Sequence, residues 1–157
     1  MRIYRASAER VSISAVADLL WIASATTKLT KIRSLWCRQL EGETSEQLAI
    51  LLFYTTTDNA ANGTAVTPRP VSPSDSAFAG TVRSNITGAS LSAETTFVEG
   101  HAMNVVGDGF EWQAVSADEE LELAPVAGTN GRFVMKLDTA PAAALNFSYG
   151  AVLVEHG

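Results

Sequence analysis

The segment that most constrains the fold lies at the end of the chain. Within residues 145–154, apolar side chains occupy every second position: Leu145, Phe147, Tyr149, Ala151 and Leu153. A period of two is typical of a β-strand that buries one face. Because chain ends are usually poorly ordered, a terminus with this pattern is expected to be held inside a sheet. The fold must therefore accommodate a long strand at its C-terminal end.

Most other ordered segments also predict strands. They are residues 2–8, 15–24, 29–40, 47–55, 80–86, 95–104, 110–115, 121–124 and 132–138. Nine or ten strands separated by short turns favour an all-β fold, an antiparallel β-sandwich or jelly roll. A tight hairpin turn is predicted at residues 129–131, where an Asn-Gly pair tolerates positive φ angles. The 157 residues suit a single domain over residues 1–157.

Two strands carry more specific predictions. The alternation in residues 29–40 breaks near Ser34, which indicates a β-bulge. Residues 47–55 are apolar on both faces, so this strand is expected to be covered on both sides. The core provides one cover, and either a loop or another subunit provides the second.

One long segment is predicted to lie outside the sheets. Residues 57–80 contain three of the five prolines and predict a long loop, which in most proteins is functional, partner-binding or disordered. Within it, residues 67–70 are expected to be extended, because each proline restricts the residue before it.

Charge is unevenly distributed along the chain. Residues 1–40 carry a net charge of +5, residues 41–157 carry −11, and the total is −6. The basic quarter either favours an acidic partner surface or is neutralised by the acidic part within one fold. Nucleic-acid binding is not expected, because the pI is about 4.8 and no basic run is interleaved with aromatic residues.

Residue types that would indicate catalysis are sparse. The two histidines, His101 and His156, do not have metal-ligand spacing with the one cysteine, Cys37, which lies in an apolar run and is expected to be a buried thiol. Neither a nucleophile elbow nor a phosphate-binding glycine loop is present. We therefore expect no enzyme activity, no cofactor and no metal.

Neither a signal peptide nor an apolar run long enough to cross a membrane is present. Synthesis in a host cytoplasm, without membrane association, is the expectation.

The closing segment Phe147-Ser148-Tyr149-Gly150-Ala151-Val152-Leu153-Val154 resembles the last strand of trimeric jelly rolls of the tumour-necrosis-factor and complement kind. The wider layout is similar to the capsid decoration, or cement, proteins of tailed bacteriophages. That resemblance is carried by residues 45–48, the proline-containing loop, residues 77–82 and the final strand. It implies homotrimers on the capsid exterior that bind the major capsid protein and use a terminal arm to grip the shell. In this chain the basic, weakly patterned residues 1–10 would be that arm.

The functional expectation is a non-enzymatic virion protein that stabilises a phage capsid. The residues expected to bind the capsid lie in the predicted arm: Arg2, Tyr4, Arg5 and Arg10. The alternative is a carbohydrate- or receptor-binding module of a phage tail or fibre, in which Trp36 and Trp112 are the candidate stacking platforms. A metal-dependent enzyme of the cupin type is a third possibility, disfavoured by the presence of only two histidines.

Overall fold

The protein is a two-layer β-sandwich. The computed structural model describes residues 1–41, 45–104, 106–107, 109–125 and 131–157. These residues form twelve strands, which are β1 (Arg2–Ile13), β2 (Ala17–Ala23), β3 (Leu29–Glu41), β4 (Gln47–Tyr54), β5 (Thr64–Val66), β6 (Arg69–Pro70), β7 (Thr81–Thr87), β8 (Thr96–Asn104), β9 (Phe110–Gln113), β10 (Leu121–Leu123), β11 (Arg132–Leu137) and β12 (Leu145–His156). Over the described ranges, one 3-10 turn at Gly88–Ser90 is the only helical element. The prediction of an antiparallel all-β sandwich is confirmed.

The strands form two antiparallel sheets with a jelly-roll order. Sheet A runs β10-β3-β12-β1-β6, with β9 also paired to β3, and sheet B runs β5-β7-β2-β11-β4-β8. The first four strands pair with the last five strands to make one long antiparallel ribbon. Its pairs are β1 with β12, β2 with β11, β3 with β9 and β10, and β4 with β8. Successive strand pairs along this ribbon alternate between the two sheets, which is how a jelly roll is wound.

Each of the ten segments predicted as strands contains a strand. The bulge predicted near Ser34 is present, because Ser34 lies opposite Val152 and Ile32 lies opposite Leu153, which leaves Arg33 as the extra residue. The predicted hairpin turn falls largely on residues 126–130, outside the described part of the chain.

The predicted loop at residues 57–80 is partly regular structure, which corrects the sequence prediction. It contains β5, which extends sheet B beside β7, and β6, which extends sheet A beside β1. Residues 69–70 are extended as expected, and Pro70 lies opposite Tyr4. The strand β5 has three residues and β6 has two, which is too few to show an apolar period of two. Only pairing with neighbouring strands therefore defines them.

The core lies between the sheets, and β12 crosses its centre. The side chains of Phe147, Tyr149 and Leu153 are fully buried there. On the opposite face of β12, Gly150 provides the space for the indole ring of Trp36. A Cβ atom built at Gly150 would lie 2.7 Å from Cη2 of Trp36 and would also overlap the Ala6 carbonyl oxygen.

The outer face of sheet B carries a second apolar cluster, made of Trp21, Phe53, Ile86 and Val134, each at most 1% exposed. The chain itself covers this cluster, because Trp21 Nε1 donates a hydrogen bond of 3.2 Å to the Thr57 carbonyl oxygen. At Phe53, the second cover predicted for residues 47–55 is therefore a loop of the same chain.

Substitution of Gly150 by alanine is expected to destabilise the protein by about 1–3 kcal/mol, because the methyl group overpacks a site bounded by backbone and by an aromatic ring. Urea unfolding followed by circular dichroism measures the change. Gly107→Ala is the matched control, since its new Cβ would meet no atom closer than 3.5 Å. Equal stability of the two variants would contradict the close packing of Trp36 on β12.

Candidate functional site

Residues 2–10 do not form the free arm that the resemblance to decoration proteins implies. They belong to β1, which pairs with β12 on one side and with β6 on the other. Tyr4 is fully buried, and its hydroxyl donates a hydrogen bond of 3.0 Å to the Ser76 carbonyl oxygen. The small inward-facing Ala6 and Ala8 weaken the apolar pattern of this strand, which explains its loose alternation in the sequence. Tyr4 is a core residue and cannot contact a shell.

The three arginines of the predicted capsid site are not brought together. Arg2 lies near one end of β1, where Nη1 donates a hydrogen bond of 2.6 Å to Ser76 Oγ. Arg10 lies eight residues further along β1, in a bulge with a φ of 54°. Arg5 is exposed on the outer face of sheet A. The prediction of one basic docking patch is therefore not supported by their positions.

Much of the basic charge of residues 1–40 is neutralised within the fold. Four bases lie within 4.0 Å of acids from the later part of the chain, in the pairs Lys28–Glu155, Lys31–Glu122, Arg33–Glu120 and Arg38–Glu111. The pairing follows from the topology, since β3 lies between β12 and the strands β9 and β10. Internal neutralisation thus accounts for a large part of the charge asymmetry.

The two candidate stacking tryptophans have different environments. Trp112 lies opposite the buried Leu35 and packs against the core. Trp36 lies on the outer face of sheet A, half-buried, with the guanidinium carbon of Arg5 5.6 Å from its ring centroid. Trp36 is therefore the tryptophan of the predicted pair that a ligand can reach.

The outer face of sheet A also contains a residue that sequence reasoning missed. Arg69 of β6 lies directly opposite Arg5 of β1. In the sequence Arg69 falls between two prolines in an apparent loop, so only the strand register reveals this pair. With Trp36, these residues form what we call the Trp36 face, defined by Arg5, Arg69, Trp36, Val152 and the serines Ser7, Ser34 and Ser148.

A second exposed surface is apolar and lies at the β8 edge of sheet B. We call it the β4–β8 strip, and its residues are Ala49, Leu51, Phe97, Gly100 and Ala102. Phe97 is 52% exposed, and its ring lies over Gly100 beside Leu51. Ala49 and Leu51 are half-buried, and Thr139 borders the strip, where its Oγ1 accepts a hydrogen bond of 3.2 Å from the Ala49 N–H. Phe97, Gly100 and Ala102 are exposed.

The cysteine and His101 both pack within the fold. Burial raises the pKa of Cys37 to about 12, which suits a structural thiol and disfavours a nucleophile. His101 Nε2 lies 3.3 Å from Glu99 Oε1, and its ring packs against Phe110. Within the described ranges, no group of three or more histidine, cysteine or acidic residues is placed to hold a metal ion, and no helix is long and apolar enough to cross a membrane.

One carboxyl group is fully buried. Asp18 Oδ2 accepts a hydrogen bond of 2.9 Å from the Ser92 backbone N–H, and its other oxygen has no hydrogen-bond partner among the described residues. Asn59, itself buried, donates to Ser92 Oγ and to the Ser90 carbonyl oxygen, both at 2.9 Å. This network fastens residues 88–95 to the outer face of sheet B. Since no solvent reaches Asp18, we assign it a structural role.

Burial raises the pKa of Asp18 above its ordinary value, while hydrogen bonds from Ser92 and the charge of Lys136 act in the opposite direction. The folded state therefore holds this proton more tightly than the unfolded state. The contribution of Asp18 to stability is greatest below its unfolded pKa of about 3.9 and is lost as the pH rises through the folded value.

Asp18→Asn is expected to be at least as stable as the wild type at pH 7, because an amide carries no charge to desolvate and can still accept the Ser92 hydrogen bond. It should also flatten the decline in unfolding free energy from pH 4 towards neutrality. Urea titrations across this range measure both effects, with the exposed Asp118→Asn as control. A variant that is less stable at pH 7 and has an unchanged pH profile would contradict the assignment.

Comparison with known proteins gives no match: no family model, no curated protein and no solved structure is significantly similar to this chain.

Proposed function

We propose that the protein is a non-enzymatic structural protein of a bacteriophage virion, a decoration protein that binds the major capsid protein on the capsid exterior as a homotrimer. The observation that carries this proposal is the β4–β8 strip. The sequence of β4 favours cover on two sides, and on its outer face the chain buries Phe53 fully but Ala49 and Leu51 only in part. A second copy of the chain is the proposed cover for that half.

The chemistry of the strip suits association between subunits. It is flat and apolar, it is built from one edge strand and its neighbour, and Phe97 provides an aromatic anchor. Such anchors contribute much of the energy of protein interfaces. Edge strands also present unpaired backbone groups, which a neighbouring chain can satisfy.

The proposed mechanism is multivalent binding without catalysis. Three copies held together contact the shell at three points, so the capsid is gripped more tightly than a single copy could grip it. Arg5 and Arg10 remain candidates for contact with the shell, through the surface of β1 and not through an arm. Because β1 lies inside sheet A, its role must be tested by single substitutions and not by deletion of residues 1–10.

A second candidate function is a saccharide- or receptor-binding module of a phage tail or fibre. It is favoured by Trp36, whose ring lies on the outer face of a rigid sheet. The same jelly roll serves either role, so the surfaces and not the fold distinguish them.

Substitution of Phe97 by aspartate tests the trimer. The wild type is expected to have a mass of about 50 kDa by light scattering, three times the 16.6 kDa of the chain, and Phe97→Asp is expected to be monomeric because it places a charge in the apolar contact. Val115→Asp is the matched control, since Val115 is 91% exposed and lies outside the strip. A monomeric wild type, or a trimeric Phe97→Asp variant, would contradict the proposed interface.

Co-sedimentation with capsids of the phage that encodes the chain tests the decoration role. The trimeric wild type and Val115→Asp are expected to bind, and the monomeric Phe97→Asp variant should bind about 10²-fold more weakly through loss of multivalency. A wild-type trimer that does not sediment with capsids would overturn the decoration role and leave the trimer intact.

A further inference from the structure

The Trp36 face is a continuous surface whose geometry is set by strand register. Arg69, Arg5 and Val152 lie side by side on β6, β1 and β12. In the next row along the strands, Ser7, Gly150 and Trp36 lie side by side. Two adjoining depressions of about 540 and 420 Å³ open on this face and share Arg5 and Val152 in their linings. Both volumes fall in the range of small-ligand sites.

The indole ring of Trp36 is held in place by the sheet beneath it. Because Gly150 has no side chain, the ring lies against β12 itself, with ring carbons where a Cβ atom would otherwise be. The ring is partly exposed, and the guanidinium carbon of Arg5 lies over it, 5.6 Å from its centroid. An immobilised aromatic face carries negative charge density, so it attracts the positively polarised C–H groups on the flat side of a pyranose ring.

The two arginines beside this ring are in an unfavourable arrangement when no ligand is present. Arg5 and Arg69 are exposed, directly opposite one another on neighbouring strands, and like charges in this position repel. Neither forms an ion pair with any described residue. A carboxylate placed between them would accept hydrogen bonds from both guanidinium groups and remove the repulsion.

The acidic residues of the same face already have partners. Glu9 accepts a hydrogen bond from Ser148 Oγ, and Glu111 Oε2 lies 3.7 Å from Arg38 Nη2. Both acids line the larger depression together with Arg5, but among the described residues neither forms an ion pair with Arg5 or Arg69. Ser7 and Ser34 add hydroxyl groups to the floor of the larger depression, where they can bond to sugar hydroxyls.

We propose that the Trp36 face binds an acidic polysaccharide, with one pyranose ring stacked on Trp36 and a carboxylate held by Arg5 and Arg69. The proposal rests on the second candidate function and names its ligand class. A flat aromatic ring bordered by hydroxyl groups suits a sugar better than an acidic peptide, which offers carboxylates but no pyranose ring.

Isothermal titration of the purified protein with four probes tests the ligand class. The probes are polygalacturonate, neutral dextran, poly-glutamate and free galacturonic acid. Polygalacturonate is expected to bind at least tenfold more tightly than each of the others. Equal binding of dextran would overturn the carboxylate assignment and leave a saccharide-binding module. Equal binding of poly-glutamate would overturn the inference in favour of an acidic peptide, and equal binding of the monosaccharide would overturn it in favour of a small acid. Binding of no probe would overturn the inference and leave only the receptor-binding form of the second candidate function.

Three variants test the site. Arg69→Gln is expected to weaken polygalacturonate binding about tenfold, and Trp36→Ala is expected to abolish it, while Trp36→Phe retains part of the affinity. Arg83→Gln, on sheet B, is the matched control and should bind as the wild type does. Thermal unfolding verifies that each variant is folded. Full affinity for polygalacturonate in a folded Arg69→Gln variant would overturn the placement of the site. Full affinity in a folded Trp36→Ala variant would overturn it as well. These binding measurements do not depend on the oligomeric state of the protein, so they do not test the capsid proposal.

Discussion

The pairing of β12 with β1 and β3 is the constraint on which the rest of the structure depends. Its register places Tyr149 and Leu153 in the core and Gly150 and Val152 on the outer face of sheet A. A shift of one residue would exchange these faces, because side chains alternate along a strand. The same register brings the two ends of the chain together and so closes the ribbon from which both sheets are wound.

The fold could be predicted from sequence wherever a strand is long enough to show its own period. The C-terminal strand and the bulge near Ser34 are examples, since each is visible as alternation or as a break in it. The position of β6 could not be predicted, because Arg69 and Pro70 become a strand only beside Tyr4 and Arg5. The N-terminal arm was implied by the resemblance to decoration proteins and is wrong, since residues 2–10 lie in β1 between β12 and β6. The small inward-facing residues of β1 give it only a loose alternation, which predicts a strand but does not show that it lies inside a sheet.

The functional surfaces were less accessible to sequence reasoning than the fold. Trp36 and Trp112 both lie in apolar stretches, and only the register shows that one faces outward and the other packs on the core. Likewise, the excess of basic residues in the first 40 positions suggests a docking patch, yet β3 carries several of these bases to acids on neighbouring strands. Because these bases are paired with acids, Arg5 and Arg69 stand out as two exposed arginines that lie opposite one another on neighbouring strands.

The two proposed surfaces are compatible because they lie on different sheets. Sheets in a sandwich pack about 10 Å apart, and the outer faces point in opposite directions. Association through the β4–β8 strip on sheet B leaves the Trp36 face on sheet A open in every copy. Three such faces held in one trimer would bind a polysaccharide chain at several points, so an individual site need only be weak. Shallow depressions on a sheet surface can therefore support tight binding once the subunits are assembled. The apolar strip, by holding the trimer together, would then control the strength of capsid binding and of polysaccharide binding alike.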